Sequence, residues 1–279
     1  MKQFRKMTYP YVVWIAVMIL APMLMIVLYA FTKEGNSVTS FRFTFANFVR
    51  FFEDTIFLEV LARSLRIAVE TTIICILIGY PAAYFIARSG EVSKTRMILL
   101  ITLPTWINML VRTYAWLGIL QDDGVINRFL GLFGIPRLTL MYTDFAVVLG
   151  MVYNFLPFMI LQIVTSLSKM DYSLIEAAND LGASRSKAFW RVTFPLSLPG
   201  VISGITLVFL PAVSSFFIPG ILGGGQYVMI GTLIESQFLT AGDWSFGSAI
   251  SLIMAIIIMI SLYVTKKLDR SEIQERSAS

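Results

Sequence analysis

Ser173-Leu-Ile-Glu-Ala-Ala-Asn-Asp-Leu-Gly182 is a charged, helix-forming stretch set between two long apolar runs, and a polar segment carries it on to Phe194-Pro195-Leu196-Ser197-Leu198-Pro199-Gly200. Ser173 and Glu176 stand at the S-x-x-E spacing of a capping box, in which the serine satisfies the Glu176 N–H and the glutamate reaches back. The spacing predicts a helix over about Leu174–Leu181 that stops at Gly182, a natural residue for the left-handed position after a helix. Leu174, Ala177, Ala178 and Leu181 fall at i, i+3, i+4 and i+7 and share one face. Two alanines keep that face flat, which suits insertion into a groove on another protein.

The flanking runs decide the class. The chain has 279 residues, 57% of them hydrophobic, and only 14% are charged, whereas a soluble domain carries about 25%. Mean hydropathy is +0.77. An apolar run of ~20 residues crosses a bilayer as a helix. The reading is an all-α polytopic membrane protein, a single transmembrane domain over 1–279. Six spans are expected at about 9–31, 64–87, 97–120, 144–164, 196–218 and 246–264, with a polar loop at about 165–195. The first run holds 23 uncharged residues. It is longer than the ~7–15-residue core of a cleaved signal peptide and is expected to be a retained span, with Pro22 as a kink. Pro104 lies inside span three, part of the loop at 121–142 is expected to be helical, and Lys266-Lys267 are expected to stop span six.

Six spans put both termini on one side, and the bias of Lys and Arg says which. With the termini in the cytoplasm, the inner segments hold Lys2, Arg5, Lys6, Arg88, Lys94, Arg96, Lys169, Arg185, Lys187, Arg191, Lys266, Lys267, Arg270 and Arg276, 14 in all. The outer loops hold Lys33, Arg42, Arg50, Arg63, Arg128 and Arg137, or six, beside acids such as Glu34. Both termini and the 165–195 loop are therefore expected to be cytoplasmic. The net charge of +5 is spread over span ends and is not a nucleic-acid footprint.

Several chemistries are excluded. There is no histidine, so the commonest metal ligand and usual general base are missing. Cys75 is the single cysteine and lies within an apolar run, a small packing residue. No metal site, cofactor site or catalytic constellation is expected. A Walker A loop is absent, since Gly223-Gly224-Gly225 runs on into Gln226 and Tyr227 rather than into Gly-Lys-Ser/Thr. The chain is not expected to bind ATP by that route. A self-sufficient carrier would show an inverted repeat or several intramembrane acids, and Glu70 is the only mid-span acid.

Charges within spans are costly and point to function. Arg66 and Glu70 stand at i, i+4 on span two. Either they pair with one another, or Glu70 faces the pathway and meets a cationic substrate. Arg112 sits deeper, on span three, where its structural partner is expected to be an acid such as Asp144 or backbone carbonyls. Trp106, Tyr114 and Tyr153 belong to a dense set of aromatics, most of them interfacial, of which a few can hold an ammonium group over a ring face. Phe209-Leu-Pro-Ala-Val-Ser-Ser-Phe-Phe-Ile-Pro219 breaks span five near its outer end, and non-helical backbone at that depth lines a cavity or is buried. The candidate translocation path is Glu70, Trp106, Arg112, Tyr114, Tyr153, Pro211, Ser215 and Asp243.

Glu176-Ala177-Ala178, Gly182 and Leu196-Ser197-Leu198-Pro199 resemble the EAA loop of ABC-importer permeases. Gly79-Tyr80-Pro81-Ala82-Ala83-Tyr84, Leu110-Val111-Arg112-Thr113-Tyr114-Ala115-Trp116 and Asp243-Trp244-Ser245-Phe246-Gly247 extend the likeness to PotB-type permeases of spermidine/putrescine importers. Permeases for iron, thiamine, opines and phosphonates share parts of these stretches. The resemblance implies a type I ABC-importer permease in a bacterial cytoplasmic membrane. Its implied partners are a second homologous permease subunit, two copies of an ABC ATPase subunit and an extracytoplasmic substrate-binding protein, within the lipid bilayer. It assigns ATPase docking to Glu176, Ala177, Ala178 and Gly182. The predicted cap and face add Ser173, Leu174 and Leu181.

Overall fold

The computed structural model describes residues 9–33, 42–225 and 227–278, with side chains as far as 267. Lys2, Arg5, Lys6, Glu34 and Gln226, and the side chains of Arg270 and Arg276, lie outside the described residues. The described secondary structure is helical apart from one isolated bridge, Thr32 to Phe43.

In chain order the helices are α1 (Tyr9–Ala30), α2 (Ala46–Glu53), α3 (Thr55–Ala87), α4 (Glu91–Thr102), α5 (Met109–Leu120), α6 (Val125–Gly131) and α7 (Asp144–Ser168). They continue as α8 (Ser173–Asp180), α9 (Arg185–Val213), α10 (Phe217–Leu222), α11 (Ile230–Ser236) and α12 (Trp244–Ala278). Among the described residues five helices are long and apolar enough to cross a membrane, α1, α3, α7, α9 and α12, and the bent pair Glu91–Trp106 and Met109–Gly131 makes a sixth crossing if counted as one.

That bent pair corrects the continuous third span. Its arms meet at 90°. A single 3₁₀ turn over Leu103–Trp106 carries Pro104, Ile107 is extended, and Asn108 starts a new helix by accepting the Leu110 N–H at 2.8 Å. The proline's missing N–H ends one helix and the asparagine side chain opens the next. Hydropathy carries no record of either event. Two other boundaries also move. α3 begins at Thr55 rather than Ser64, and α12 continues past Lys266-Lys267 to Ala278. Lysine, glutamate, arginine and alanine are good helix formers, so those charges end the apolar stretch without ending the helix. Pro22 is met by a π turn over Ala16–Leu20, and α6 supplies the expected helix in the 121–142 loop.

The fold comprises two compact units, Met1–Leu61 with Ile230–Met259 and Ala62–Met229 with Ile260–Ser279. In the first, Phe51, Phe57 and Phe246 pack ring against ring at 6.0 and 5.0 Å between centroids. The Arg50 guanidinium lies over the Phe246 ring at 4.1 Å. In the second, α7 and α9 form the core. Gly200 and Gly204 let α9 lie directly on α7: a Cβ at Gly200 would stand 2.8 Å from the Gln162 carbonyl oxygen, and one at Gly204 would stand 2.5 Å from Met159 Sδ. Gly150 of α7 likewise accommodates Leu222 and Ile218 of α10.

Candidate functional site

The α8 helix forms where the sequence places it, but a different residue opens it. Tyr172 occupies the N-cap position in a helical conformation and no side-chain capping bond joins Ser173 to Glu176. Instead Asp171 Oδ1 accepts the Ser173 N–H at 3.0 Å. That bond holds the Asp171 carboxyl below the usual carboxylate range. An aspartate offers a charged acceptor to the first free N–H groups, which a serine cannot match. The capping box is thereby corrected to an aspartate cap two residues upstream.

The other end is as expected. Gly182 has φ +80°. Its N–H donates to the Asn179 carbonyl at 2.9 Å, and the Ala183 N–H donates to the Ala178 carbonyl at 3.0 Å. These two bonds are the paired closure of a Schellman motif. Between the caps, Ile175 is the one buried residue of α8. Ser173, Leu174, Glu176, Ala177, Leu181 and Gly182 are exposed, and Ala178 is half-buried. Leu181 is 90% exposed. A leucine at that exposure beside the exposed Ala177 leaves an apolar face without a partner among the described residues.

What ties the loop to the spans is an aromatic junction. The Tyr80 hydroxyl and Ser197 Oγ share a buried hydrogen bond of 2.8 Å. The Tyr80 ring meets Phe189 and Phe194 at 5.9 and 5.6 Å, and Tyr84 meets Phe189 at 5.5 Å. A π turn over Phe189–Thr193 and the following α-helical turns carry this side of the junction. The end of α3 is thus packed against the start of α9, which follows α8 directly in the chain. Tyr80, Tyr84, Phe189 and Ser197 were not singled out from the sequence as junction residues. Their signal, aromatics one turn apart at a span end, is common to any membrane interface.

Among the candidate path residues, Glu70 Oε1 stands 3.6 Å from Arg66 Nε, so the i, i+4 pair forms. Arg66 Nη2 also donates to Asp144 Oδ2. Asp144 is therefore partner to Arg66, which corrects the pairing expected with Arg112. The buried Arg112 Nε and Nη1 have no hydrogen-bond partner among the described residues. Tyr153 meets Trp116 edge-on at 5.4 Å. Trp106 and Tyr114 are exposed, Pro211 is exposed within the last turn of α9, and Ser215 is buried in the break that follows. Asp243 belongs to the first unit, with both oxygens committed: Oδ1 accepts the Phe246 N–H at 3.0 Å and Oδ2 accepts from Arg50 Nη1 at 3.0 Å.

The helical order has a solved counterpart. A chain of a bacterial alginate ABC transporter, in complex with an alginate pentasaccharide-bound periplasmic protein, superposes with a TM-score of 0.80 at 16% identity, over 96% of this chain and 94% of that one. That likeness is one of fold. The chain belongs to the family described as the binding-protein-dependent transport system inner membrane component, which matches residues 75–273. It is a multi-pass inner-membrane translocation component and not an enzyme. It is 36% identical over 260 residues to the spermidine/putrescine transport system permease protein PotB of Escherichia coli K12, covering 92% of this chain and 94% of that one. Against the protein of the same description from Haemophilus influenzae it is 35% identical over 277 residues, 96% of each.

Proposed function

We propose that this chain forms the translocation path for spermidine and putrescine in an ABC importer and couples that path to a separate ATPase through α8. The observation that carries the substrate is the likeness to spermidine/putrescine permeases along 92% of the chain at 36% identity. The lever reading is supported by the exposed face of α8 between two formed caps, with Leu181 90% exposed. A second homologous permease, two ATPase copies and an extracytoplasmic binding protein complete the importer. The bias of Lys and Arg supports cytoplasmic termini and a cytoplasmic α8.

In this reading the loaded binding protein docks on the outer loops, and ATP-driven closure of the ATPase pair moves α8. The Tyr80–Phe189–Ser197 junction passes that movement to α3 and α9, and the cavity opens outward. Glu70, Trp106, Arg112, Tyr114, Tyr153, Pro211 and Ser215 border the path. Glu70 and the rings among them attract and orient ammonium groups. The trio Arg66, Glu70 and Asp144 carries one net negative charge, the sign that favours a cation.

Two measurements test this. Uptake of labelled spermidine and putrescine is compared in cells lacking the chain and in cells with it restored; restoration of neither refutes the substrate. A mild-detergent pull-down of wild type beside Glu176→Lys tests the lever. An ATPase and a second permease are expected with the wild type, and the ATPase is expected to be lost in the variant. Equal recovery of the ATPase by both refutes docking through α8.

A further inference from the structure

A cleft of about 530 Å3 lies in the second unit, within the ~300–1,000 Å3 range of small-ligand sites. Tyr84 and Arg88 line it from the end of α3, Tyr172 and Asn179 from the coupling segment, and Arg185 and Thr193 from the start of α9. Its only charged lining residues are the two arginines. Among the described residues neither arginine is ion-paired. The Arg88 guanidinium lies over the Tyr84 ring at 4.4 Å. Stacking fixes the guanidinium plane and leaves its N–H edge free to donate.

Thr193 adds an independent sign. It is 1% exposed, and its Oγ1 is buried without a hydrogen-bond partner among the described residues. Thr72, Thr113, Thr165 and Thr206, in other helical turns, each donate to the carbonyl four residues back. Thr193 stands at the end of the π turn, where the Phe189 carbonyl receives the Phe194 N–H. A buried hydroxyl without a partner is costly. Two guanidinium groups from different elements, with the Tyr172 hydroxyl and the Asn179 amide also on residues of the lining, match an oxyanion that has several acceptor oxygens.

We propose that this cleft binds a phosphate group, and that its occupancy clamps α8 to the end of α3 and the start of α9. The phosphate is carried either by an anionic phospholipid headgroup or by free phosphate. The chemistry is shared, because both present a tetrahedral anion to the arginine edges. The site lies on a different face of the coupling segment from Leu174, Ala177 and Leu181, none of which lines it, and it does not depend on the polyamine reading.

The test uses the full chain in dodecylmaltoside micelles, which contain no phosphate. Hydrogen exchange over residues 173–193 is followed while inorganic phosphate, or short-chain phosphatidylglycerol, is titrated in at constant ionic strength with chloride. Saturable protection by phosphate identifies a free-phosphate site; protection by phosphatidylglycerol alone identifies a headgroup site. In either case Arg88→Gln and Arg185→Gln are expected to weaken binding about tenfold, the size of one lost charge-assisted hydrogen bond. Both residues are exposed, so unliganded thermal midpoints should match wild type. Lys169→Gln removes a nearby exposed charge that does not line the cleft and should leave the affinity unchanged. The proposal is overturned if neither anion protects the segment beyond chloride, or if Lys169→Gln weakens binding as much as Arg88→Gln.

Discussion

Replacing Gly182 by alanine separates conformational strain from packing at the end of α8. The backbone there has φ +80°, and an added Cβ would meet nothing within 4 Å. No clash can arise, so the whole cost is that of holding an L-residue in the left-handed region, about 1–2 kcal/mol. Alanine also restricts the unfolded chain, which offsets ~0.4–1 kcal/mol. The net is a loss of about 1 kcal/mol, and 1.4 kcal/mol is about tenfold in a population. The helix spans 8 residues and Ile175 is its one buried residue, so little resists its opening. The bonds at risk are Gly182 N–H to Asn179 and Ala183 N–H to Ala178. Hydrogen exchange at residues 182 and 183 should quicken about fivefold in Gly182→Ala. Gly182→Asn should fall between, since asparagine tolerates this region. In the assembled importer, substrate moved per ATP should fall in the same order. Wild-type exchange in Gly182→Ala, or an asparagine variant no better than alanine, would refute the argument.

Other outcomes follow from the same geometry. Gly200→Ala presses a methyl against the backbone of α7 and should destabilise by about 1–3 kcal/mol. Gly204→Ala meets mainly the unbranched Met159 side chain, which can change rotamer more easily than a backbone can shift, and should cost less; steric trapping or detergent unfolding reads both, and the reverse order would count against the packing. Tyr80→Phe removes the buried bond to Ser197, which keeps its bond to the Phe194 carbonyl at 2.8 Å, so about 1 kcal/mol of stability should go while the fold remains. Asp243→Ala loses the Phe246 N–H acceptor and the Arg50 pair, and thermal unfolding should show a loss of ~1 kcal/mol, typical of a deleted cap. For Asp171 the folded pKa is lowered by the Ser173 N–H. Its contribution to α8 is therefore present above the ordinary carboxylate value of about 3.9 and lost as pH falls through the lowered one. Exchange at Ser173 should accelerate across that window relative to its intrinsic rate, and Asp171→Asn should abolish the dependence.

The sequence by itself determined the class, the apolar runs long enough to cross a membrane and the place of α8. These depend on local quantities: the length of an apolar run, the 3.6-residue period of Leu174, Ala177, Ala178 and Leu181, and a glycine where the chain must turn left-handed. It also contained signals that hydropathy hides. Pro104 followed by Asn108 is a stop and a start inside one apolar run, and Gly200-Val-Ile-Ser-Gly204 has the small-residue spacing that lets membrane helices touch. Asp171 was equally close at hand, but Ser173 at capping-box spacing offered a competing opening for the same helix. What only the tertiary structure decided is which residues meet. Arg66 takes Asp144, 78 residues away. Tyr80 takes Ser197, 117 residues away. Arg88 and Arg185 come to line one cleft. Pairings over such separations depend on how helices cross, and the crossing is set by the summed packing of whole faces, which no local spacing encodes.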